Sequence, residues 1–457
     1  MDRISDLPDE LISRIVSLLA SRDAASLLLT SRRFGDIYRI ISDLEFDDKG
    51  KFQGTFTDLV SEALARLETT TCIRRFYLKS ERGIDPDRIH HWLRDVLNHR
   101  GVMVMDLELR IKGNNGYTLP SEIFACKTLI KLKLGMDIVI TVLPENALLP
   151  ALETLVFDSV RFCNPADCAF KAFLLACPVL KELTIDGMYW ETWDWSGIVS
   201  SQSLERLTIG RELSGFDGPD PQYITFDTPS LAYLDYLDYV PDGYTVVNFE
   251  SLVEAKLTLL VMVNHEWNWD FPVDGDILSS NATNLIQGIR NVQILKLLSP
   301  YTFETLYIFR DAIPIFENLH HLTIINDDTG VCWRFLPFLL NKAPNLKTLV
   351  IEGDMHCPDD GEEHDYDEEP DYVCGCLSGY SCLLTCPLEV LEITLWYDGT
   401  VDELQQVKNF LGKLPYLEVL KVHSRESLRD EEKLRITGDL LMLPRASSKC
   451  KIQISFT

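Results

Sequence analysis

The chain has 457 residues, of which 46% are hydrophobic and 25% are charged, and its formal net charge is −27 at pH 7. This composition is typical of a folded globular protein, and it excludes a wholly disordered chain. The acidic balance argues against a nucleic-acid backbone or an anionic membrane surface as the main partner.

The sequence also indicates the cellular compartment of the protein and the redox state of its cysteines. Every apolar stretch is shorter than a bilayer span, and Met1 to Glu10 lacks the basic-then-apolar layout of a signal peptide. We therefore expect the protein in the cytosol or the nucleus, with no membrane partner. Most of the 12 cysteines should be free and buried in such a compartment.

The first predicted element is a pair of short apolar helices within residues 7–34. Pro8 suits a first helical turn, where its missing N–H is not needed, and Asp9 and Glu10 suit the positive end of a helix. The apolar residues behind them cover more than half of the helix circumference, which is wider than the stripe that a helix buries against its own core. We therefore expect this hairpin to have a partner surface. A helix pair that only caps the next domain is the alternative.

The spacing from Leu7 to Phe34 resembles an F-box, with Leu-Pro-x-Glu-Leu, apolar residues at helical intervals and a closing Ser-Arg-Arg-aromatic. Phe34 and Tyr38 stand where members of that family often carry tryptophan, and both keep an aromatic ring. The resemblance implies a three-helix module that docks on the SKP-type adaptor of a cullin ubiquitin ligase. The adaptor-binding residues that it implies are Leu7, Pro8, Leu11, Ile12, Ile15, Leu18, Leu19, Leu28 and Phe34.

After Asp48 the sequence repeats an apolar-x-x-apolar-x-apolar unit. The thirteen copies begin at residues 73, 104, 129, 152, 180, 204, 231, 252, 292, 319, 346, 388 and 417. The last two apolar positions alternate as in a half-buried strand. No unit buries its apolar side alone, so neighbours should stack. A doubly wound α/β enzyme is the alternative, but the chain lacks that fold's glycine-rich strand-to-helix turn.

This unit resembles the leucine-rich repeat, and the tail resembles the FBD segment of plant F-box proteins. In the tail, Asp402 is predicted to cap a helix, and Lys451 to Phe456 to form the last strand. The predicted fold is α/β: an F-box, then a curved solenoid whose parallel sheet is backed by helices and loops, then an FBD-like cap. The predicted domains are an F-box at residues 1–48, a solenoid at 49–380 with an acidic inserted loop at about 356–380, and FBD-like repeats at 381–457.

Catalytic and metal-binding patterns are weak. We find neither a phosphate-binding Gly-x4-Gly-Lys loop, nor a Gly-x-Ser-x-Gly turn, nor His-Glu-x-x-His. Cys382 and Cys386 have a spacing that zinc sites use, but Cys374 and Cys376 are too close for one. We therefore expect no catalytic residue, no metal and no cofactor.

Target binding is expected on the strand positions beside the inward-facing apolar residues, which should line the concave face. The charge of this face should run from basic to mixed or acidic along the chain. The candidates are Arg75, Lys79, Arg110, Lys131, Lys133, Asp158, Glu182, Asp186, Arg206, Tyr233 and Asp235.

The combined resemblance implies a non-catalytic substrate-recognition subunit of an SKP-cullin-F-box ubiquitin ligase. Its partners would be the SKP-type adaptor, through it a cullin ligase, and an unknown protein target, with no nucleic acid or membrane. The alternative is a leucine-rich-repeat scaffold or small-ligand sensor without ligase activity.

Overall fold

The computed structural model describes residues 43–49, 55–65, 73–98, 102–112, 116–162, 169–187, 197–211, 223–261, 280–326, 333–353, 381–397 and 399–456. The chain divides into two compact units, Met1–Pro221 and Gln222–Thr457. The adaptor-binding residues predicted between Leu7 and Phe34, and the predicted acidic loop at about 356–380, lie outside the described residues.

The first unit is built on a parallel β-sheet. Its described strands are β1 Asp43–Asp47, β2 Arg75–Ile84, β3 Val104–Ile111, β4 Tyr117–Thr118, β5 Lys131–Met136, β6 Ile138–Ile140, β7 Thr154–Asp158, β8 Arg161–Phe162, β9 Glu182–Gly187, β10 Ile198–Ser200 and β11 Arg206–Arg211. The main sheet has the order β1-β2-β3-β5-β7-β9-β11, and β4, β6 and β8 form a small second sheet. All of these pairs are parallel.

Helices in the first unit lie in the connections between strands. The α-helices within the described residues are α1 Phe56–Ala65, α2 Pro86–Asn98 and α3 Ala169–Leu175. Proline at the first position suits the start of α2, where a backbone N–H has no partner within the helix. In α2 the apolar residues Ile89, Leu93 and Val96 recur every three or four positions and are buried. One apolar stripe therefore packs inward while the opposite face stays polar.

The second unit repeats this construction. Its described strands are β12 Tyr223–Asp227, β13 Tyr233–Tyr239, β14 Gly243–Asn248, β15 Glu254–Leu260, β16 Ile294–Leu298, β17 His321–Asn326, β18 Thr348–Gly353, β19 Val390–Tyr397, β20 Val419–Ser424 and β21 Lys451–Phe456. Its described α-helices are α4 Thr283–Gly288, α5 Pro300–Ile308, α6 Leu336–Asn341, α7 Val401–Lys413 and α8 Asp430–Met442. Its main sheet has the order β13-β15-β16-β17-β18-β19-β20-β21, again with parallel pairs. Within the described ranges, every helix is too short or too polar to cross a bilayer.

The buried face of each sheet is a ladder of apolar side chains. Leu132 lies opposite Leu155, and Leu183 lies opposite Leu207. All four leucines are at most 1% exposed. Burying one leucine side chain stabilises a fold by about 1.5–3 kcal/mol, and here the neighbouring repeats supply the covering surface. The predicted α/β architecture of stacked repeats is confirmed.

One predicted repeat copy has the wrong register. The sequence pattern begins this copy at Val104, but Val104 lies opposite Arg75 on the other face of the sheet. Val102 and Met105 occupy the buried positions instead, at 1% and 0% exposure. Because the segment is apolar on both faces, its own alternation cannot decide the register, and pairing with β2 decides it.

Both ends of the described chain contain a feature that differs from expectation. Asp43–Asp47, within the segment predicted as F-box, is a strand that pairs with β2. At the other end, the predicted cap Asp402 is wrong. Thr400 caps α7, because Thr400 Oγ1 accepts a hydrogen bond from the Glu403 N–H while Glu403 Oε2 accepts one from the Thr400 N–H. The predicted last strand, Lys451–Phe456, is confirmed.

A buried carboxylate fastens β1 to β2. Asp48 is 1% exposed. Its Oδ2 accepts hydrogen bonds from Ser80 Oγ at 2.7 Å and from the Arg82 N–H at 2.8 Å. Burial alone would raise the pKa of Asp48, but these hydrogen bonds, one from the Glu81 backbone and the charge of Arg82 together lower it. The ionised carboxylate therefore stabilises the start of the sheet.

We expect Asp48→Ala to weaken β1 by about 1–3 kcal/mol at pH 7, because the Arg82 N–H loses its acceptor and Ser80 Oγ keeps only the Arg82 carbonyl. Hydrogen exchange of the β1 amides measures this weakening. A lowered pKa contributes stability above the unfolded-state value, near 3.8, and loses it as the pH falls through the folded-state value. The difference from wild type should therefore shrink below about pH 4. Glu45→Ala, an exposed change on the same strand, is the control, and equal effects of both variants would contradict this role.

Candidate binding faces

The main sheet of the first unit has an outward face whose side chains form three rows. Parallel register places equivalent residues of neighbouring strands about 4.8 Å apart along each row. The first row is Asp43, Arg75, Val104, Lys131, Thr154, Glu182 and Arg206. The second row is Glu45, Tyr77, Asp106, Lys133, Val156, Thr184 and Thr208. The third row is Asp47, Lys79, Glu108, Gly135, Asp158, Asp186 and Gly210.

The predicted target-binding residues lie on these rows. Arg75, Lys131, Glu182 and Arg206 share the first row, Lys133 is in the second, and Lys79, Asp158 and Asp186 are in the third. Arg110 lies two residues beyond Glu108 on the same strand and is exposed. Their role in binding stays a prediction.

Glu108, which the sequence analysis did not select, organises the first part of this face. It is 7% exposed. Its Oε2 accepts a hydrogen bond from Lys79 Nζ and its Oε1 accepts one from Lys133 Nζ. Burial alone would raise the pKa of Glu108, but the two ammonium groups outweigh burial and lower it. The same contacts raise the pKa of Lys79 and that of Lys133.

The first strands are therefore of mixed charge, whereas the gradient predicted from the sequence begins basic. Lys79 and Lys133 share Glu108, and β1 adds Asp43, Glu45 and Asp47 to the outward rows.

Two further groups complete this cluster. Asp106 lies between Tyr77 and Lys133 in the second row. Burial raises the pKa of Asp106, and Lys133 partly opposes that effect. Burial, with the negative charge of Glu108, raises the pKa of Tyr77 to about 12. The phenol is therefore neutral at physiological pH and can donate a hydrogen bond.

Two glycines lie beside carboxylates in the third row. Gly135 lies opposite Asp158, and Gly210 lies opposite Asp186. A β-carbon on Gly210 would lie 3.1 Å from Asp186 Oδ1, and one on Gly135 would lie 3.5 Å from Glu108 Cγ. These two positions therefore place no side chain beside Asp158 and Asp186 in the third row.

The outward face of the second unit has two regular rows. The first row is Tyr233, Glu254, Ile294, His321, Thr348, Val390, Val419 and Lys451. The second row is Asp235, Lys256, Lys296, Thr323, Val350, Glu392, Lys421 and Gln453. The predicted residues Tyr233 and Asp235 begin these rows.

Three lysines on this face form ion pairs across strands. Lys256 Nζ lies 3.1 Å from Asp235 Oδ2, and Lys296 Nζ lies 2.8 Å from Glu254 Oε1. Farther along the sheet, Lys421 Nζ lies 3.0 Å from Glu392 Oε2. These pairs are partly exposed, so each contributes little stability, but each cancels a charge on the face.

His423 also contacts Glu392, the partner of Lys421. Its Nε2 lies 3.2 Å from Glu392 Oε1, and its Nδ1 lies 2.7 Å from Ser455 Oγ. A hydrolase triad also joins serine, histidine and a carboxylate, but it requires oxyanion donors around a bound substrate. Here Glu392 is shared with Lys421, and we interpret the series as cross-strand pairing.

A stripe without charged side chains lies in the first row, beside the second row that carries the paired lysines. From β16 to β20 the first row carries Ile294, His321, Thr348, Val390 and Val419. Burial, together with the nearby His320 and Lys296, lowers the pKa of His321, so the imidazole is neutral at physiological pH. Thr323 Oγ1 lies 3.2 Å from His321 Nε2. This stripe can accept a partner segment that carries few charges.

The described thiols have the properties of buried apolar residues. Cys177, Cys382, Cys386 and Cys450 are free and buried, and Cys126 is free and partly exposed. Burial raises the pKa of Cys386 to about 11 and also raises that of Cys382. Within the described ranges, no three histidine, cysteine or acidic residues come close enough to hold a metal ion.

We expect Glu108→Gln to destabilise the first unit by about 2 kcal/mol, because two partly buried ammonium groups lose a charged acceptor. The pKa of Lys79 and that of Lys133 should fall, since Glu108 raises both. Urea unfolding and the rate of reductive methylation of the two lysines measure these changes. Glu182→Gln, an exposed change on the same face, is the control. Equal stability and unchanged lysine reactivity in both variants would contradict the cluster.

Two family models match this chain. A model described as F-box domain matches residues 4–37. A model described as FBD-associated F-box protein At5g56370, LRR repeats, matches residues 89–243. The second match covers β3 to β13, and β3 to β11 carry most of the rows of the first unit.

Similar proteins occur in Arabidopsis thaliana. Putative F-box/LRR-repeat protein At3g58920 is 50% identical, over 100% of both chains. F-box/LRR-repeat protein At3g58980 is 48% identical over 99% of this chain and 74% of its own length. F-box/LRR-repeat protein At3g62440 is 45% identical over 99% of this chain and 100% of its own. None of these names is that of an enzyme. The chain belongs to the plant F-box/leucine-rich-repeat protein family.

Proposed function

We propose that this protein is the substrate-recognition subunit of an SKP-cullin-F-box ubiquitin ligase. The F-box match at residues 4–37, placed ahead of the repeat units, is the observation that carries the proposal. The apolar residues Leu7, Leu11 and Ile15, with the neighbours that the F-box resemblance implies, would pack on the SKP-type adaptor. Apolar side chains of this kind form the centre of most stable interfaces.

The repeats would hold the target while the adaptor joins the receptor to the cullin ligase. Such a receptor acts by positioning, because it raises the effective concentration of target lysines beside the ubiquitin-charged partner. Parallel pairing holds the outward rows in a fixed arrangement, which lowers the entropy lost on binding. This function would operate in the cytosol or the nucleus, and the free thiols of the described cysteines suit a reducing compartment.

The outward rows support a protein target over a small ligand. Charged side chains spread over seven strands of the first unit, and the second unit adds an uncharged stripe. Seven strands span roughly 29 Å at about 4.8 Å per strand, which is the scale of a protein interface. Arg75 and Lys131 are exposed in the first row, and within the described residues neither is joined to a carboxylate in an ion pair. They are the cations most available to an acidic target.

We expect Leu7→Ala/Pro8→Ala to reduce co-purification of the adaptor by at least about tenfold, since truncation of central interface residues often costs more than 1 kcal/mol each. Quantitative mass spectrometry of material isolated through a tag at the C-terminus measures this loss. Val142→Ala, which is exposed far from residues 4–37 in the sequence, is the matched control. Equal recovery from all three chains, or no recovery from any, would contradict the proposal and favour a scaffold or sensor without ligase activity.

The target-binding role of the first row has its own test. We expect Arg75→Ser/Lys131→Ser to remove acidic proteins from the set labelled by proximity while the proteasome is blocked, and to leave adaptor recovery unchanged. Lys79→Ser/Lys133→Ser is a poor substitute, because it also leaves Glu108 without its partners. Lys171→Ser/Lys342→Ser, which removes two cations outside the outward rows, is the control. An unchanged set of labelled proteins would show that these two cations do not select the target.

A further inference from the structure

The last helix, α8, is apolar on two opposite faces. Ile436 and Leu440 are buried at 1% and 0% exposure, on the side that packs toward β21. Leu434 and Leu441 lie seven residues apart on the same helical line and are 73% and 50% exposed, and Met442 beside them is 85% exposed. At 100° per residue, Leu434 points about 160° away from Ile436. A helix with one partner has one apolar stripe, so this outward stripe indicates a second partner.

Gly438 lies on the outward stripe between Leu434 and Leu441. A β-carbon added there would meet no heavy atom within 4 Å. The packing of this chain therefore does not require a glycine, although glycine inside a helix is less favourable than alanine. A missing side chain on an exposed helix face allows the backbone of another helix to approach closely.

Charges at the two ends of α8 are complementary. Asp430, Glu431 and Glu432 form its acidic first turn. Arg445 follows its last turn and donates hydrogen bonds to the carbonyls of Leu441 and Cys450, both at 3.0 Å. Within the described residues Arg445 has no carboxylate partner. An acidic first turn and a guanidinium held beyond the opposite end, on the Leu441 carbonyl, match an antiparallel copy of the same helix.

We propose that the outward stripe of α8, formed by Leu434, Gly438, Leu441 and Met442, is a self-association surface on which the α8 of a second copy packs antiparallel. With the crossing at Gly438, Leu434 of each copy lies against Met442 of the other. The antiparallel arrangement also brings the acidic first turn of each copy, with Glu431, toward the end of the other copy where Arg445 bonds to the Leu441 carbonyl. Each contact occurs twice, as a two-fold interface requires.

The size of this surface sets the strength of association. The helix has 13 residues and is therefore about 20 Å long. A single helix pair of this length buries an area at the low end of specific interfaces, so the dimer is weak and depends on concentration. The receptor would thus be monomeric when dilute and dimeric where it is locally concentrated, and a dimer would present two copies of the target-binding rows.

Sedimentation velocity of the full chain, over roughly 1 to 100 µM, tests the proposal in the range expected for weak interfaces. Wild type should shift from monomer to dimer as its concentration rises. Leu434→Glu should raise the dissociation constant at least about tenfold, because it buries a charge in the stripe. Glu431→Arg should weaken the dimer by repelling Arg445, with an effect that shrinks as salt is added.

Gly438→Leu separates association from folding. Leucine favours the helix, so the thermal midpoint should stay the same or rise, while its bulk should block the crossing and keep the chain monomeric. Leu175→Glu, which changes a 70% exposed leucine on α3 of the other unit, should dimerise as wild type does. The proposal is overturned if wild type stays monomeric at every concentration. That result is expected if another segment of the chain or another protein covers the stripe. A dimer that tolerates both Leu434→Glu and Gly438→Leu would overturn it equally.

Discussion

The parallel register of the apolar ladder is the constraint on which the rest of this structure depends. Each strand offers two or three inward side chains, such as Leu132 and Leu134, that only the neighbouring repeats can cover. A slip of one residue would turn these leucines outward and would point the polar side chains of the same strand into the core. The ladder therefore holds every strand in one alignment. It also makes each repeat dependent on its neighbours, so the ends need separate protection.

The same register decides the electrostatics of the outward faces. Equivalent residues of neighbouring strands are forced to within about 4.8 Å, a distance at which charges cannot be independent. Glu108 shows the result, because it holds Lys79 and Lys133 from the strands on either side. Lys256, Lys296 and Lys421 are each joined to a carboxylate of an adjacent strand in the same way. Exposed cations outside such pairs, among them Arg75, are the ones to which our proposal assigns target binding.

The proposed receptor role requires positioning of a target and no catalytic residue in this chain. The family to which the chain belongs is defined by an F-box and by repeats, and our proposal assigns adaptor binding to the first and target binding to the second. The outward rows supply fixed positions, which suit orientation of a target better than they suit bond breaking. The terminal helix α8 covers the sheet with Ile436 and Leu440 and still carries leucines on its far side. End protection and self-association can therefore share one helix.

The sequence by itself determined the local elements of this protein. The F-box spacing, the recurring apolar triplets and the last strand at Lys451–Phe456 are set by residues close together in the chain, where period and composition are readable. Only the tertiary structure decided which residues meet. Glu108 is 29 residues from Lys79 and 25 from Lys133, and Val104 faces outward because β2 aligns it with Arg75. Thr400 caps α7 in place of Asp402 because the chain enters the helix earlier than its charges suggest. Each of these outcomes depends on the alignment of distant repeats or on backbone geometry. The residue pattern within one repeat contains no information about either.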